Sequence, residues 1–249
     1  IQLDARYGAG ARQVISVSRL DRDTSGVLVA ATSAEGAECL TEQFRERHVS
    51  KQYLGLCVGE LLPAVGEVNA RLYISGFAEK YRAYVSPKGK EACTKYEVLQ
   101  RFLLAGGAEA APSVGGVCEG VGHELRTQMQ YYAQRCVSQR HGTADAGAGA
   151  APACSLVACY PVTGRTHQIR AHLAWRGHPL VADANYNSRG QFRGHLGWCP
   201  RLFLHCRRMA LKDLDGATFE VEAPLPEDLE EVLRRLRATG PRQGEGAHG

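Results

Sequence analysis

One short stretch, residues 155–180, places a strand, a turn and a helix in direct succession, which restricts the folds open to the chain. Residues 155–160 (SLVACY) form an apolar run typical of a buried strand, and 161–164 (PVTG) predict a turn. Residues 165–176 predict a helix that ends at Gly177, with Pro179 beyond it. This order predicts a domain in which strands and helices share one core.

Strand patterns recur on both sides of this stretch. Apolar runs and alternation predict further strands at 27–31, 51–58, 80–85, 91–101, 202–211 and 217–223. The turns 86–89 and 212–216 are expected to join the last four into two hairpins. Thr32 and Glu35 match a capping box for a helix with Leu40 and Phe44 on one face, and a last amphipathic helix begins near Pro226. We therefore predict an α+β fold with a mixed, mainly antiparallel sheet and flanking helices.

Residues 103–153 interrupt these patterns. Their last part, 141–153, is rich in alanine and glycine and offers no periodic apolar face, although 124–137 could form a helix. We predict a single domain over 1–240 with a flexible Ala/Gly-rich insertion at 103–153, and a disordered tail at 241–249.

Composition excludes several classes of protein. Hydrophobic residues make up 44% of the 249 positions, yet no apolar run approaches the roughly 20 residues of a membrane helix, so we expect no membrane contact. The nine cysteines are odd in number and form no C-x-x-C pair. This speaks against a disulfide framework or a four-cysteine zinc site and favours a reducing, intracellular compartment.

Positive charge is concentrated in residues 146–212. This region holds nine basic residues, eight of them arginine, against Asp183 alone, a net charge of +8; since the chain carries +4, the rest carries −4. A solvated surface would explain such a run. The arginine bias favours a footprint for a polyanion, because the guanidinium group matches phosphate bidentately.

The stretch SRLDRDTSG, residues 18–26, holds two aspartates. In an extended segment Asp21 and Asp23 point to opposite faces, which argues against a glycosidase-like carboxylate pair. Residues 23–26 have turn chemistry, so we assign Asp23 a structural role. Asp21 is either functional or the partner of a neighbouring arginine.

The turn at 161–164 leads into a dense set of polar groups. Arg165, Thr166, His167 and Gln168 follow at once, at the predicted start of a helix, where unpaired backbone N–H groups attract anions. We predict a site for a carboxylate or a phosphate. The alternative is that Thr163 caps the helix and the arginines are surface residues.

Five segments in order closely resemble the motifs of the RluA-type RNA pseudouridine synthases. They are SRLDRDTSGVLVAAT, VSKQYLGLCVGE, GKEACTKYEVL, SLVACYPVTGRTHQIRAHLAWRGHPLVADANY and RLFLHCRRMAL. The first and fourth are specific, and the five cover most of 14–223 outside 60–78 and the insertion. The resemblance implies the pseudouridine synthase catalytic fold and the isomerisation of uridine to pseudouridine in structured RNA, rRNA or tRNA.

The resemblance also implies roles for single residues. Asp21 matches the catalytic aspartate, and Arg19 matches an arginine that enters the RNA where the target nucleotide is extruded. Tyr53 matches the tyrosine that lies against the target uracil, and Arg165 the arginine that pairs with the catalytic carboxylate. We expect no metal, no cofactor and no obligatory protein partner. His167 and His172, about 140° apart on a helix, are interpreted as structural or RNA-facing, with metal binding a minor alternative.

The implied chemistry suits these residue types. The bond between N1 and C1′ must break and C1′ must join C5, which requires a nucleotide flipped out of the stack. Tyr53 offers a face to hold the freed uracil. Asp21 must be ionised, whether it attacks C1′ or takes a proton from C2′.

The sequence departs from the family at three points. Ser18 stands where a histidine usually precedes Arg-Leu-Asp, and Ala182 where a glycine commonly precedes Asp183. Only 17 residues precede Ser18, which leaves open a sheet that lacks its first strands and a targeting segment before Ile1. A non-catalytic RNA-binding or RNA-remodelling protein of the same fold is the alternative, and an unrelated cysteine or zinc protein a third. The RNA target (rRNA, tRNA or mRNA) and the compartment (cytoplasm, nucleus or organelle) stay open.

Overall fold

A seven-stranded sheet forms the centre of the fold. The computed structural model describes residues 14–76, 81–103 and 153–239, whose strands are Ile15–Ser16 (β1), Ser25–Gly26 (β2), Ala30–Ala31 (β3), Ser50–Val58 (β4), Val65–Asn69 (β5), Leu72–Ser75 (β6), Arg82–Val85 (β7), Cys93–Leu103 (β8), Ala153–Pro161 (β9), Leu204–Lys212 (β10) and Thr218–Glu222 (β11). Six strands run antiparallel in the order β11-β10-β4-β9-β8-β5, and β2 pairs parallel with β10. The pairs β1–β3 and β6–β7 form two small sheets. The predicted α+β fold is confirmed.

Helices flank this sheet. Those in the described residues are Ala34–Arg45 (α1), Gln168–Trp175 (α2), Arg189–Leu196 (α3) and Glu227–Thr239 (α4). Helix α1 begins after Ser33, whose hydroxyl accepts a hydrogen bond from the Gly36 N–H at 3.1 Å. The capping residue is thus Ser33 and not the predicted Thr32. Leu40 and Phe44, the predicted apolar face, pack against a buried cluster that includes residues of β10. Within the described ranges, no helix is both long and apolar enough to cross a membrane.

Two apolar layers cover opposite faces of β4. Leu56 packs with Leu229 and Leu233 of α4, while the next residue, Cys57, packs with Leu173 of α2. Neighbouring residues of a strand point to opposite faces, so α4 covers one face of the sheet and α2 the other. The core thereby fixes α2, which carries much of the candidate site, against the centre of the sheet.

The predicted hairpin of 80–85 with 91–101 is wrong. β7 pairs with β6, whereas β8 lies in the central sheet between β9 and β5. A Cβ at Gly89 would lie 2.3 Å from the carbonyl carbon of Leu72, so this turn lies directly against β6. Lys90 and Leu72 also exchange two backbone hydrogen bonds of 2.8 Å. β6 is hard to predict because Leu72 is its one buried residue, which leaves no alternation.

The long strands β8 and β9 meet where the sequence predicts an insertion. They are antiparallel neighbours, with Leu103 opposite Ala153. The Ala/Gly-rich insertion, apart from these two end residues, lies outside the described residues, as do 1–13 and the tail 241–249. The single domain over 1–240, the insertion and the tail therefore stay predictions.

Candidate active site

Asp21 opens a tight turn. Its carbonyl oxygen accepts a hydrogen bond from the Thr24 N–H at 3.0 Å, and Arg22 and Asp23 occupy the exposed centre of the turn. The turn predicted at 23–26 thus lies two residues earlier, at 21–24, and still contains Asp23. The chain then enters β2, which pairs with β10.

Gly26 holds this turn against the sheet. Its φ angle is +116°, and a Cβ at this position would lie 2.1 Å from the carbonyl oxygen of Cys206. Any larger residue would force β2 away from β10, so the sequence Ser-Gly after the turn fixes the position of Asp21 relative to the sheet.

The loop after β9 is held by a side chain of α2. Gln168 accepts hydrogen bonds from the Thr163 hydroxyl at 2.5 Å and the Arg165 N–H at 3.0 Å, and its amide nitrogen donates to Cys93 and Thr94 of β8. Helix α2 begins at Gln168 and not at the predicted Arg165. The residue before it, His167, has a left-handed backbone with φ of 53°, which interrupts the helical path.

Arg170 is the arginine that binds Asp21. Its Nη1 donates to the Asp21 carboxylate at 3.0 Å. The predicted pair of Asp21 with Arg165 is therefore wrong, because the Nε of Arg165 donates to the Glu91 carbonyl at 3.1 Å instead. The signal in the sequence was that Arg170 stands between the apolar residues Ile169 and Ala171. The structure buries this part of the helix, and a buried cation requires a partner.

A second carboxylate fixes the other edge of Arg170. Its Nε and Nη2 both donate to Asp183 at 2.8 Å, and Asp183 is 0% exposed while Arg170 is 7% exposed. Burial opposes the charge of Arg170, but the hydrogen bonds and charge of Asp183, and then of Asp21, outweigh it and raise its pKa. The ring of Tyr186 lies 5.5 Å from the guanidinium carbon. Arg170 is thus a permanent cation with one edge directed at Asp21.

The segment that presents Asp183 is strained at the residue before it. Ala182 has a φ angle of +55°, a conformation that glycine adopts without the Cβ penalty. This conformation gives a physical reason for the glycine that commonly precedes this aspartate in the resembling family. The Asp183 carboxylate also accepts a hydrogen bond from the Asn185 N–H at 2.9 Å.

His167 faces the same carboxylate. Its Nε2 lies 4.0 Å from the Asp21 carboxylate, too far for a hydrogen bond, and its Nδ1 is buried with no hydrogen-bond partner in the described part of the chain. Burial, and next the charge of Arg170, lower the pKa of His167. The imidazole therefore faces Asp21 in its neutral form at neutral pH. The sequence analysis interpreted His167 as structural or RNA-facing and did not predict that it lies beside Asp21.

Arg19 and Tyr53 are the two other residues that the sequence proposed for this site. Arg19 is exposed, and its Nη2 donates to the Thr166 hydroxyl at 3.0 Å, which joins the Asp21 loop to the loop after β9. Tyr53 lies on β4 opposite Cys206 of β10. Burial, and next the Cys206 thiol, raise the pKa of Tyr53, and the charge of Asp21 adds to the rise. Tyr53 is therefore a neutral phenol close to Asp21.

Much of the positive charge in residues 146–212 is neutralised in the fold. Four of its arginines form ion pairs with carboxylates, and these pairs are Arg170 with Asp21 and Asp183, Arg201 with Asp228, Arg207 with Glu222, and Arg208 with Glu220. The predicted polyanion-binding surface therefore cannot use the charge of all nine basic residues. An anion-binding surface must rest on the remaining cations of this region and on cations outside it, such as Arg19.

No metal site is found in residues 14–76, 81–103 and 153–239: no group of three or more His, Cys, Asp or Glu side chains there could hold an ion. His172 is fully buried and has structural partners. Its Nε2 donates to the Ala70 carbonyl at 3.0 Å, and its Nδ1 lies 2.9 Å from the Thr94 hydroxyl. The ionisable groups described at the site are a carboxylate, a guanidinium, an imidazole and a phenol.

Comparisons with known proteins agree on one family. The family model described as RNA pseudouridylate synthase matches residues 2–175. The ribosomal large subunit pseudouridine synthase C of Escherichia coli K12 is 33% identical over 235 residues, which cover 91% of this chain and 57% of that protein. The protein of the same name from Vibrio parahaemolyticus is 30% identical over 230 residues, covering 91% and 56%. The chain thus spans just over half the length of these curated relatives.

Solved structures share the fold. Human RNA pseudouridylate synthase domain containing 4 superimposes with a TM-score of 0.58 at 22% identity, covering 90% of this chain and 76% of that one. Human RNA pseudouridylate synthase domain containing 1 gives the same score and identity over 92% and 82%. At this identity the likeness concerns the fold alone.

Proposed function

We propose that this chain, which belongs to the RNA pseudouridylate synthase family, isomerises uridine to pseudouridine in RNA. The observation that carries the proposal is the Asp21 carboxylate, held at 3.0 Å by the buried Arg170. Asp21 is the proposed catalytic residue. No metal or cofactor takes part in the proposed reaction.

The reaction exchanges one glycosidic bond for another. The bond from C1′ to N1 breaks and a bond from C1′ to C5 forms. C5 loses a proton and N1 gains one, so the product has the same atoms as the uridine. Asp21 either attacks C1′ or takes a proton from C2′, and both roles need a carboxylate in a fixed direction. Arg170, itself fixed by Asp183, supplies that direction.

Three residues are proposed to bind the RNA. Arg19 is exposed beside the Asp21 turn and is suited to fill the space left by the flipped nucleotide. Tyr53 offers its ring to the uracil. Arg165, which does not pair with Asp21, keeps a proposed role in substrate binding through its position on the loop after β9.

The relatives named for the ribosomal large subunit make rRNA the first substrate to test, with tRNA and mRNA as alternatives. We propose no membrane partner and no obligatory protein partner. The described cysteines are free thiols, which suits an intracellular compartment that contains RNA, whether cytoplasm, nucleus or organelle.

The test is pseudouridine mapping. Purified protein is incubated with rRNA, tRNA and mRNA depleted of pseudouridine, and new sites are mapped by carbodiimide-dependent stops of reverse transcription. We expect a new site with the wild type and with Asp23→Asn, which changes the exposed aspartate of the same turn, but none with Asp21→Asn. RNA binding without any new site would support the non-catalytic alternative. Equal modification by Asp21→Asn would overturn the role of Asp21.

A further inference from the structure

Lys51 reaches the loop after β9 from the centre of the sheet. It lies on β4 two residues before Tyr53, so both side chains point to the same face. Its register partner is Met209 of β10, away from either edge of the sheet. A Cβ added at Gly164 would lie 3.7 Å from the Lys51 Nζ. The ammonium group therefore lies beside the loop that carries Arg165 and Thr166.

This ammonium lacks a charge partner in the described part of the chain. No carboxylate there lies within ion-pair distance of the Lys51 Nζ. The nearby Cys206 thiol is neutral, since burial raises its pKa. Burial also lowers the pKa of Lys51, which expresses the cost of holding the cation away from water. A half-buried, unpaired cation is unfavourable in the free protein and becomes favourable when an anion binds.

Two further cations surround the same short loop. Arg165 belongs to it, and Arg19 is tied to it through the Thr166 hydroxyl. In the described ranges, neither guanidinium lies within ion-pair distance of a carboxylate, in contrast to Arg201, which Asp228 neutralises. The loop 164–166 is thus flanked by three uncompensated positive charges close to Asp21. A neutral base does not need three cations, whereas an RNA backbone carries one negative charge for each nucleotide.

We propose that Lys51, with Arg19 and Arg165, forms a phosphate site for the RNA backbone next to the modified nucleotide, and that Lys51 is its buried member. This inference rests on the proposed function, because it assigns the ligand of the same site. The geometry places the phosphate over the loop 164–166, and Tyr53, on the same face of β4, then faces the base of that nucleotide.

The test measures binding separately from catalysis. A fluorescently labelled RNA hairpin with a uridine-rich loop is titrated with protein at several KCl concentrations. Lys51→Met should weaken binding about tenfold at low salt and reduce the slope of log affinity against log salt by about 0.7 to 0.9, as expected for one lost phosphate contact. Lys51→Arg should retain the slope. Lys95→Met, which alters an exposed lysine of β8, should match the wild type.

Folding is checked by thermal unfolding, and Lys51→Gln serves as the second variant if Lys51→Met does not fold. An unchanged salt slope in the folded variant would overturn the phosphate site. A fall in kcat with an unchanged slope would also overturn it, because it would show that Lys51 acts on the departing uracil. Binding does not require turnover, so the salt slopes are also compared in Asp21→Asn protein. A slope that Lys51→Met changes, together with no pseudouridine formed by the wild type, would leave the phosphate site standing and refute the proposed catalysis.

Discussion

Replacing Asp183 by asparagine should disturb the Asp21 site without touching Asp21. Asp183 is fully buried and accepts two hydrogen bonds of 2.8 Å from Arg170, which in turn holds Asp21 at 3.0 Å. Asparagine has nearly the same shape, so it tests the charge and the second acceptor oxygen. Its amide NH₂ would face one of the N–H groups of Arg170, donor against donor.

The expected cost follows from these contacts. Breaking a buried ion pair from one side costs about 3–5 kcal/mol, and a hydrogen bond to a charged group contributes about 1.5–3 kcal/mol. Asparagine keeps one acceptor oxygen, and Arg170 keeps Asp21 as a second carboxylate. We therefore expect Asp183→Asn to lower the free energy of unfolding by about 3 kcal/mol, the low end of the first range.

Urea unfolding at neutral pH measures this loss. The matched control is Asp215→Asn, which changes an exposed aspartate in the turn between β10 and β11 and should stay within about 0.5 kcal/mol of the wild type. We also expect kcat to fall, because Arg170 loses the group that fixes its direction. A loss of stability below about 1 kcal/mol for Asp183→Asn would refute the idea that Asp183 holds Arg170 in place.

Three further predictions follow from the same structure. Arg170→Met should lower kcat by about 100-fold, whereas Arg165→Met should act mainly on RNA affinity; steady-state kinetics with equal losses of kcat would contradict Arg170 as the partner of Asp21. Ala182→Gly should raise the free energy of urea unfolding by about 0.5–1 kcal/mol, since it relieves a left-handed alanine, and a less stable variant would contradict this. Burial lowers the pKa of His172 and His205 below the ordinary 6.5, so the unfolded chain binds more protons as pH falls. Through these two groups stability should fall as the pH drops below 6.5; urea midpoints that do not fall in acid would contradict this.

Local patterns in the sequence predict the central strands well. The strand predicted at 51–58 is Ser50–Val58, and that predicted at 155–160 is Ala153–Pro161. The pairing of 202–211 with 217–223 is confirmed by β10 and β11. The leucines of the last helix are buried in the core. These elements have strong apolar patterns, and β10 pairs with β11 across a short turn, so local information suffices to locate them. The pairing of β4 with β9 joins residues about 100 positions apart and is not contained in those patterns.

The wrong or missing predictions concern elements whose position is determined by tertiary contacts. β7 has two possible partners, and the close approach of Gly89 to Leu72 selects β6. Helix α3 has no buried residue and therefore no apolar face packed on the core. Its local signal in the sequence is the capping box that Ser188 forms with Gln191. Such contacts depend on packing and leave little trace in the apolar pattern.

The site shows the same division. The first and fourth motifs meet where Arg170 donates to Asp21, whereas the roles of Asp21, Tyr53 and Arg19 stay proposals. Choosing between Arg165 and Arg170 was not possible from spacing, because Asp21 lies about 150 positions earlier in the chain. The left-handed backbone of His167 determines which arginine pairs with Asp21. The helix starts after that residue, and Arg170, not Arg165, lies against Asp21.

Release of tritium from RNA labelled at C5 of uridine tests the catalytic role of Asp21 most directly. Joining C1′ to C5 expels the C5 hydrogen to water, so the released label counts turnovers without knowledge of the site. We predict steady release by the wild type and by Asp23→Asn, and none above background by Asp21→Asn at equal RNA binding. Release of tritium by Asp21→Asn at the wild-type rate would contradict the catalytic role of Asp21.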